Sequence, residues 1–91
     1  MATFATVKIT NSRLGTVTVK VDKEDKAFLL EGRPYIHNSN ADNFYVRFTY
    51  NGIPAELANR AILASHEMLD VSKNLKPKNG DHFDLRKKNW V

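Results

Sequence analysis

The fold of this 91-residue chain is decided by residues 44–52, which read FYVRFTYNG. Residues 44–50 alternate between two faces, the two-residue period of a β-strand. Asn51-Gly52 then favours a tight turn directly after the strand. The stretch therefore predicts a strand with one core face and one outward face. The core face carries Phe44, Val46, Phe48 and Tyr50, and the outward face carries Tyr45, Arg47 and Thr49.

The residues before this strand predict a hairpin and a short helix. Alternating β-branched runs at 4–10 and 15–21 flank turn-forming residues, which is typical of an antiparallel hairpin. Asp22 is a candidate helix cap and Gly32 a candidate helix end, on either side of the apolar stretch 27–30. Tyr35-Ile36 predicts a brief strand, and the polar stretch 37–43 predicts a turn.

The residues after Asn51-Gly52 predict the main helix. Pro54 suits the first turn of a helix, and apolar residues recur at helical spacing through 55–69. Residues 70–80 are irregular and basic, and 84–90 predict a last short helix. We therefore expect one α+β domain spanning residues 1–91. A small antiparallel sheet and one main helix would occupy residues 1–71, and a basic segment residues 72–91.

The composition excludes several classes of protein. The chain has no cysteine, so disulfide frameworks, thiolate zinc sites and cysteine nucleophiles are excluded. No apolar run approaches the roughly 18 residues of a membrane span. The N-terminal MATFATVKIT lacks the apolar core of a signal peptide. We expect a cytoplasmic protein with no membrane partner and no cofactor.

All of the net charge of +4 falls in the C-terminal segment. Residues 72–91 hold six basic and two acidic residues, whereas residues 1–71 hold eight of each. A concentrated basic patch favours a polyanion partner such as nucleic acid, although a solvated, solubilising tail has the same composition. The candidate contacts in this segment are Lys73, Lys76, Lys78, Arg86, Lys87, Lys88 and Trp90, the last as a surface ring that suits base stacking.

The titratable residues do not form a recognisable metal site. No two of His37, His66 and His82 have the i, i+4 spacing of a zinc-binding helix. Asp81 and Asp84 with His82 could bind a divalent cation through oxygen atoms. Such residues on a lysine-rich loop more often form caps and salt bridges, so we expect residues 79–84 to shape a turn and to bind no metal.

Residues 78–90, KNGDHFDLRKKNW, form the most specific motif in the chain. They resemble the core of the HNH endonuclease family in its small phage form, at Asn79, Gly80, Asp81, Asp84, Arg86 and Asn89. Shorter likenesses at residues 21–25, 45–52 and 60–63 follow the order of that family. The resemblance implies a short C-terminal ββα-like remnant and a phage-encoded protein that acts in the host cytoplasm.

The chain departs from the family pattern at the positions that carry the family's catalytic chemistry. Pro77 stands where the family has its general-base histidine, and proline cannot activate water. Asn59 stands where a second histidine precedes Arg60. The chain stops at Val91, where the family's last metal-bearing helix would follow. We therefore expect no enzymatic activity. A residual nuclease that uses His82 or His66 as a replacement base is an alternative.

The same resemblance implies how the sheet would bind DNA. Small phage HNH proteins carry a part similar to the three-stranded DNA-binding sheet of ethylene-response-factor domains. The outward face of strand 44–50 would then meet DNA, with Arg33, Tyr45 and Arg47 as contacts. A merely solvated strand face is the other interpretation.

Two functions follow as expectations. The first is a non-catalytic nucleic-acid-binding protein that prefers DNA to RNA. The alternative is a phage effector that binds and inhibits a host protein, such as a polymerase, a nuclease or a defence complex. Tyr35, Phe83 and Trp90 would anchor such a protein partner.

Overall fold

The computed structural model describes residues 4–40 and 43–90, and it confirms the predicted α+β class. The described strands form two antiparallel sheets, β1-β2 and β3-β4-β5, in those orders. The strands are β1 (Phe4–Asn11), β2 (Gly15–Asp22), β3 (Tyr35–Asn40), β4 (Asn43–Tyr50) and β5 (Ile53–Leu57). The helices are α1 (Lys26–Glu31) and α2 (Ala58–Ser65), with 3-10 turns at Lys23–Asp25 and Lys87–Asn89.

The N-terminal hairpin is confirmed. β1 pairs with β2 in register from Phe4 opposite Asp22 to Asn11 opposite Gly15. The side-chain oxygen of Asn11 accepts hydrogen bonds from the backbone N–H groups of Arg13 and Leu14, at 2.8 and 3.0 Å, and so stabilises the turn. The alternation holds, because the four buried hairpin residues share one face: Val7, Ile9, Val19 and Val21.

The prediction that the main helix begins near Pro54 and spans residues 55–69 is wrong. Asn51 and Gly52 both have positive φ, 51° and 76°, so the chain reverses and residues 53–57 pair with β4 as an additional strand. Pro54 is tolerated because β5 is an edge strand, where a missing N–H costs no ladder hydrogen bond. The helix is consequently shorter and spans Ala58–Ser65.

The polar stretch 37–43 is also more regular than the sequence predicted. β3 continues through His37 to Asn40 and pairs with β4, with a register shift between Asn38 and Asn40. Pairing with β4 outweighs the turn preference of these polar residues. Ala41 and Asp42 of the predicted turn lie outside the described residues.

The basic C-terminal segment is part of the folded structure rather than a solvated tail. Leu85 is 2% exposed and belongs to the same hydrophobic cluster as Phe48 and Ile62. Two backbone hydrogen bonds attach the segment to β2: Leu85 N–H to the Lys20 carbonyl, at 2.7 Å, and Lys20 N–H to the Phe83 carbonyl, at 3.0 Å. The helix predicted over 84–90 is reduced to the 3-10 turn at Lys87–Asn89, because Asp84 bridges to β2.

No helix within residues 4–40 and 43–90 has the length and apolar character needed to cross a membrane.

Candidate nucleic-acid groove

The motif residues of the C-terminal segment lie together in one hydrogen-bonded turn. The Asn79 side chain accepts from the Asp81 backbone N–H and donates to Asp84 Oδ2, both at 2.9 Å. The Asn89 side chain accepts from the Asn79 N–H and donates to the Asp84 carbonyl, both at 3.0 Å. Gly80 has φ 78°, which favours glycine. The prediction that residues 79–84 shape a turn is therefore confirmed.

Asp84 is the buried centre of this turn. It is 0% exposed, and its two carboxylate oxygens accept from Arg86 Nε and Nη2 at 2.8 and 2.5 Å. These hydrogen bonds hold the pKa of Asp84 below its ordinary value. The Arg86 guanidinium also lies over the Phe4 ring, 5.0 Å from its centroid. Arg86 is thus occupied inside the chain, which corrects its assignment as a phosphate contact.

We predict that Asp84 makes stability fall in acid. The pKa of Asp84 is lower in the folded than in the unfolded protein. Ionised Asp84 therefore contributes its full stabilisation when the pH is above its unfolded-state pKa, and this stabilisation is lost as the pH falls through its folded-state pKa, below about pH 4. Asp84→Asn should be less stable than wild type at pH 7, but the difference should narrow towards pH 2. Urea unfolding from pH 7 to pH 2 measures this. Glu31→Gln, which changes an exposed carboxylate, is the control. A difference in unfolding free energy between wild type and Asp84→Asn that stays constant from pH 7 to pH 2 would contradict the prediction.

Lys87 is likewise occupied, by a cluster of carboxylates near the end of β2. Its ammonium lies 2.5 Å from Glu24, 2.7 Å from Asp25 and 3.0 Å from Asp22, and its side chain is only 14% exposed. Burial alone would lower the pKa of Lys87, but the three carboxylates outweigh burial and raise it. Asp22 makes no helix-capping hydrogen bond with its side chain and instead accepts from the Lys87 backbone N–H at 3.0 Å. The assignment of Lys87 as a phosphate contact is therefore corrected too.

One group of described side chains has the composition of a metal site. Glu24, Asp25 and His66 offer ligand atoms within 4.8 Å of one another. His66 Nε2 lies 2.6 Å from Asp25 Oδ1, and the Lys87 ammonium contacts both acids. A histidine and an ammonium therefore already contact the carboxylates that a metal cation would need.

A groove of about 530 Å³ lies between the sheet and the C-terminal segment. Residues from β4, β5 and α2 meet residues 75–82 and Trp90 there, and we call this surface the basic groove. The lining consists of Tyr45, Leu57, Asn59, Arg60, Leu75, Lys76, Pro77, Gly80, His82 and Trp90.

The lining of the basic groove has a positive charge. Arg60 and Lys76 contribute cations, and no lining residue among those described carries a carboxylate. Neither cation forms an ion pair with a described residue. Lys78 is exposed two residues beyond Lys76 and is also without an ion pair there. The first turn of α2 also lines the groove, and its dipole adds positive potential.

The aromatic residues of the groove contact one another. The His82 ring packs edge-on against Tyr45, with centroids 5.5 Å apart, and lies 6.0 Å from the Trp90 ring. The outward face of β4 is therefore partly covered at Tyr45, which corrects the expectation of an open DNA-binding sheet. Arg47, on the same face, is half-buried, and its Nε has no hydrogen-bond partner in the described part of the chain.

The remaining predicted contacts are scattered. Trp90 is 7% exposed and donates its indole N–H to the Asp84 carbonyl at 2.7 Å, so the expectation of a surface ring is wrong. Arg33, Lys73 and Lys88 are exposed and do not line the groove. Lys73 lies 4.0 Å from the Asp70 carboxylate. Lys76 and Tyr45 are the predicted contacts that the structure brings together, with Trp90 as part of the wall.

Sequence reasoning missed two parts of this arrangement. In the sequence Arg60 belongs only to a short motif likeness, yet it supplies half of the cations that line the groove. Sequence reasoning also missed that carboxylates of the same chain neutralise the charges of Arg86 and Lys87. One signal was available, because the acids at 22, 24 and 25 form a compact cluster that complements the basic run RKK at 86–88.

No protein-family model, curated protein or solved structure matches this chain.

Proposed function

We propose that this protein binds nucleic acid at the basic groove and does not cleave it. The observation that carries the proposal is the lining itself, where Arg60 and Lys76 have no described ion-pair partner and no carboxylate opposes them. Phosphate oxygens are the acceptors that arginine and lysine bind most readily in such a site. Tyr45 and His82 add ring surface for bases or sugars.

The resemblance to the HNH family supports the same location. Pro77 and Asn59, which stand in for the two functional histidines of that family, both line the basic groove. They are far apart in sequence, and the fold brings them to one surface. Neither side chain can act as a general base in water activation. These positions therefore support a binding surface without the catalytic groups.

The structure does not favour the host-protein effector over this function. Of the three aromatic anchors that the effector would use, Trp90 is buried and Phe83 is half-buried. Tyr35 alone of the three is exposed, at 41%. Hot spots in protein interfaces usually cluster, so one exposed ring does not favour a protein-binding surface.

The proposal predicts salt-dependent binding. With about three cations, Arg60 and Lys76 in the groove and Lys78 beside it, affinity should fall about twentyfold for a single strand and about fortyfold for a duplex between 50 and 200 mM salt. Fluorescence anisotropy with labelled DNA and RNA over a salt series measures this. If no oligonucleotide binds at 50 mM salt, the proposed function is wrong.

The proposal also predicts that no nucleic acid is cleaved. Plasmid DNA incubated with the protein and magnesium, manganese, nickel or zinc should remain supercoiled. His82 is the histidine that lines the groove, so His82→Ala is the matched control. Nicking by the wild type that disappears in His82→Ala would show a residual nuclease.

A further inference from the structure

The shape of the basic groove separates two kinds of nucleic acid. A protein that reads duplex DNA inserts a helix or a two-stranded ribbon into a major groove about 12 Å wide. Here the outward face of β4 does not protrude, because the His82 ring packs against Tyr45 and residues 75–77 line the same depression. A concave surface binds the protruding part of a ligand. An unpaired base can protrude from its strand, whereas a base stacked in a duplex does not.

The side chains in the groove are of two kinds. The His82 ring contacts both Tyr45 and Trp90, and we call these three rings the aromatic cluster. Arg60 and Lys76 form a cationic pair without described carboxylate partners. Proteins that bind single strands combine these same two features, since bases stack on aromatic rings and cations follow the phosphates.

The size of the groove fits a short stretch of one strand. Its volume is about 530 Å³, in the range of about 300–1,000 Å³ that accommodates small organic ligands. A nucleotide is a ligand of that size, whereas a duplex is far wider. Within the proposed function, on which this step rests, we propose that the basic groove binds unpaired nucleotides of single-stranded nucleic acid. Bases lie against the aromatic cluster, and phosphates lie at the cationic pair.

The test compares single and double strands of one sequence. Labelled single-stranded DNA and RNA of about 12 nucleotides, and the corresponding blunt DNA duplex, are titrated by anisotropy at low salt. We expect each single strand to bind about tenfold more tightly than the duplex, and the DNA and RNA arms show which sugar is preferred. Tyr45→Leu and His82→Leu should each weaken single-strand binding about five- to tenfold and change duplex binding less than about twofold.

Two variants keep the outcomes separate. His82 is exposed, so His82→Leu tests the cluster without disturbing the core. Tyr35→Leu removes an exposed ring outside the groove and should bind normally. Duplex binding as tight as single-strand binding, or equal losses on both ligands in the leucine variants, would overturn this inference and leave the proposed function standing. Absence of binding to all three ligands would overturn both.

Discussion

Replacing Lys87 with methionine is expected to lower the melting temperature by about 12 °C or more. Methionine keeps most of the side-chain volume and removes only the ammonium that joins Asp22, Glu24 and Asp25 to the C-terminal segment. The Asp25 side chain is only 4% exposed and would lose the ammonium, keeping only its contact with His66 Nε2. Removing one partner of a buried ion pair costs about 3 kcal/mol or more, because the other charge stays buried without compensation. Thermal unfolding followed by circular dichroism measures the change.

Neighbouring and compensating variants test the reason for that loss. Lys88→Met changes an exposed lysine on the same 3-10 turn and should alter stability by less than about 0.5 kcal/mol. Adding Asp25→Asn to Lys87→Met should recover part of the lost stability, since it removes the buried carboxylate that has lost its ammonium partner. If Lys87→Met melts like Lys88→Met, the carboxylate cluster does not hold the C-terminal segment in place.

Reversing the two cations of the basic groove should remove nucleic-acid binding. In the double variant Arg60→Glu and Lys76→Glu, two charge-assisted contacts to phosphate are lost, each contributing about 1.5 kcal/mol. Together they correspond to at least about a hundredfold loss of affinity, and the new carboxylates add repulsion. Anisotropy at low salt with a labelled single-stranded oligonucleotide measures the loss.

A matched control distinguishes the groove from net charge. Lys8→Glu with Lys26→Glu makes the same change in charge at two exposed lysines that do not line the groove. This control should lose less than about fivefold in affinity, because its changes act only through screened, long-range attraction. Both double variants should keep the circular dichroism spectrum of the wild type. Equal losses in the two variants would place binding in the overall charge rather than in the groove.

The elements that sequence predicts well are those whose pattern depends on local geometry. The hairpin of β1 and β2 and the faces of β4 follow from two-residue alternation, and the turn at Asn51-Gly52 follows from its preference for positive φ. The sequence does not predict β5, because Pro54 and Ala55 carry no strand pattern of their own. Residues 53–57 pair with β4 because the turn places them beside it, with a register shift around Ala55, whose φ is 59°, and this pairing outweighs local propensity.

The site residues are predicted poorly for a related reason. Charge counted along the sequence ignores ion-pair partners that are distant in the sequence. Arg86 and Lys87 belong to a basic run, yet Asp84 and the acids at residues 22–25 neutralise them. Arg60 stands alone in the sequence, yet the fold brings it to the same groove as Lys76. The motif turn at residues 79–89 was predictable because all its hydrogen-bonding groups lie within one short segment.

The most direct test of the central claim is a map of the binding surface by nuclear magnetic resonance. The ¹H–¹⁵N correlation spectrum of the wild-type protein is recorded while a single-stranded oligonucleotide is added at low salt. We predict that the largest shift changes fall on the backbone amides of Tyr45, Arg60, Lys76 and His82 and on the indole N–H of Trp90. The turn between β1 and β2, at residues 12–14, should change little. Largest changes in that turn, or a spectrum that does not change at all, would contradict binding at the basic groove.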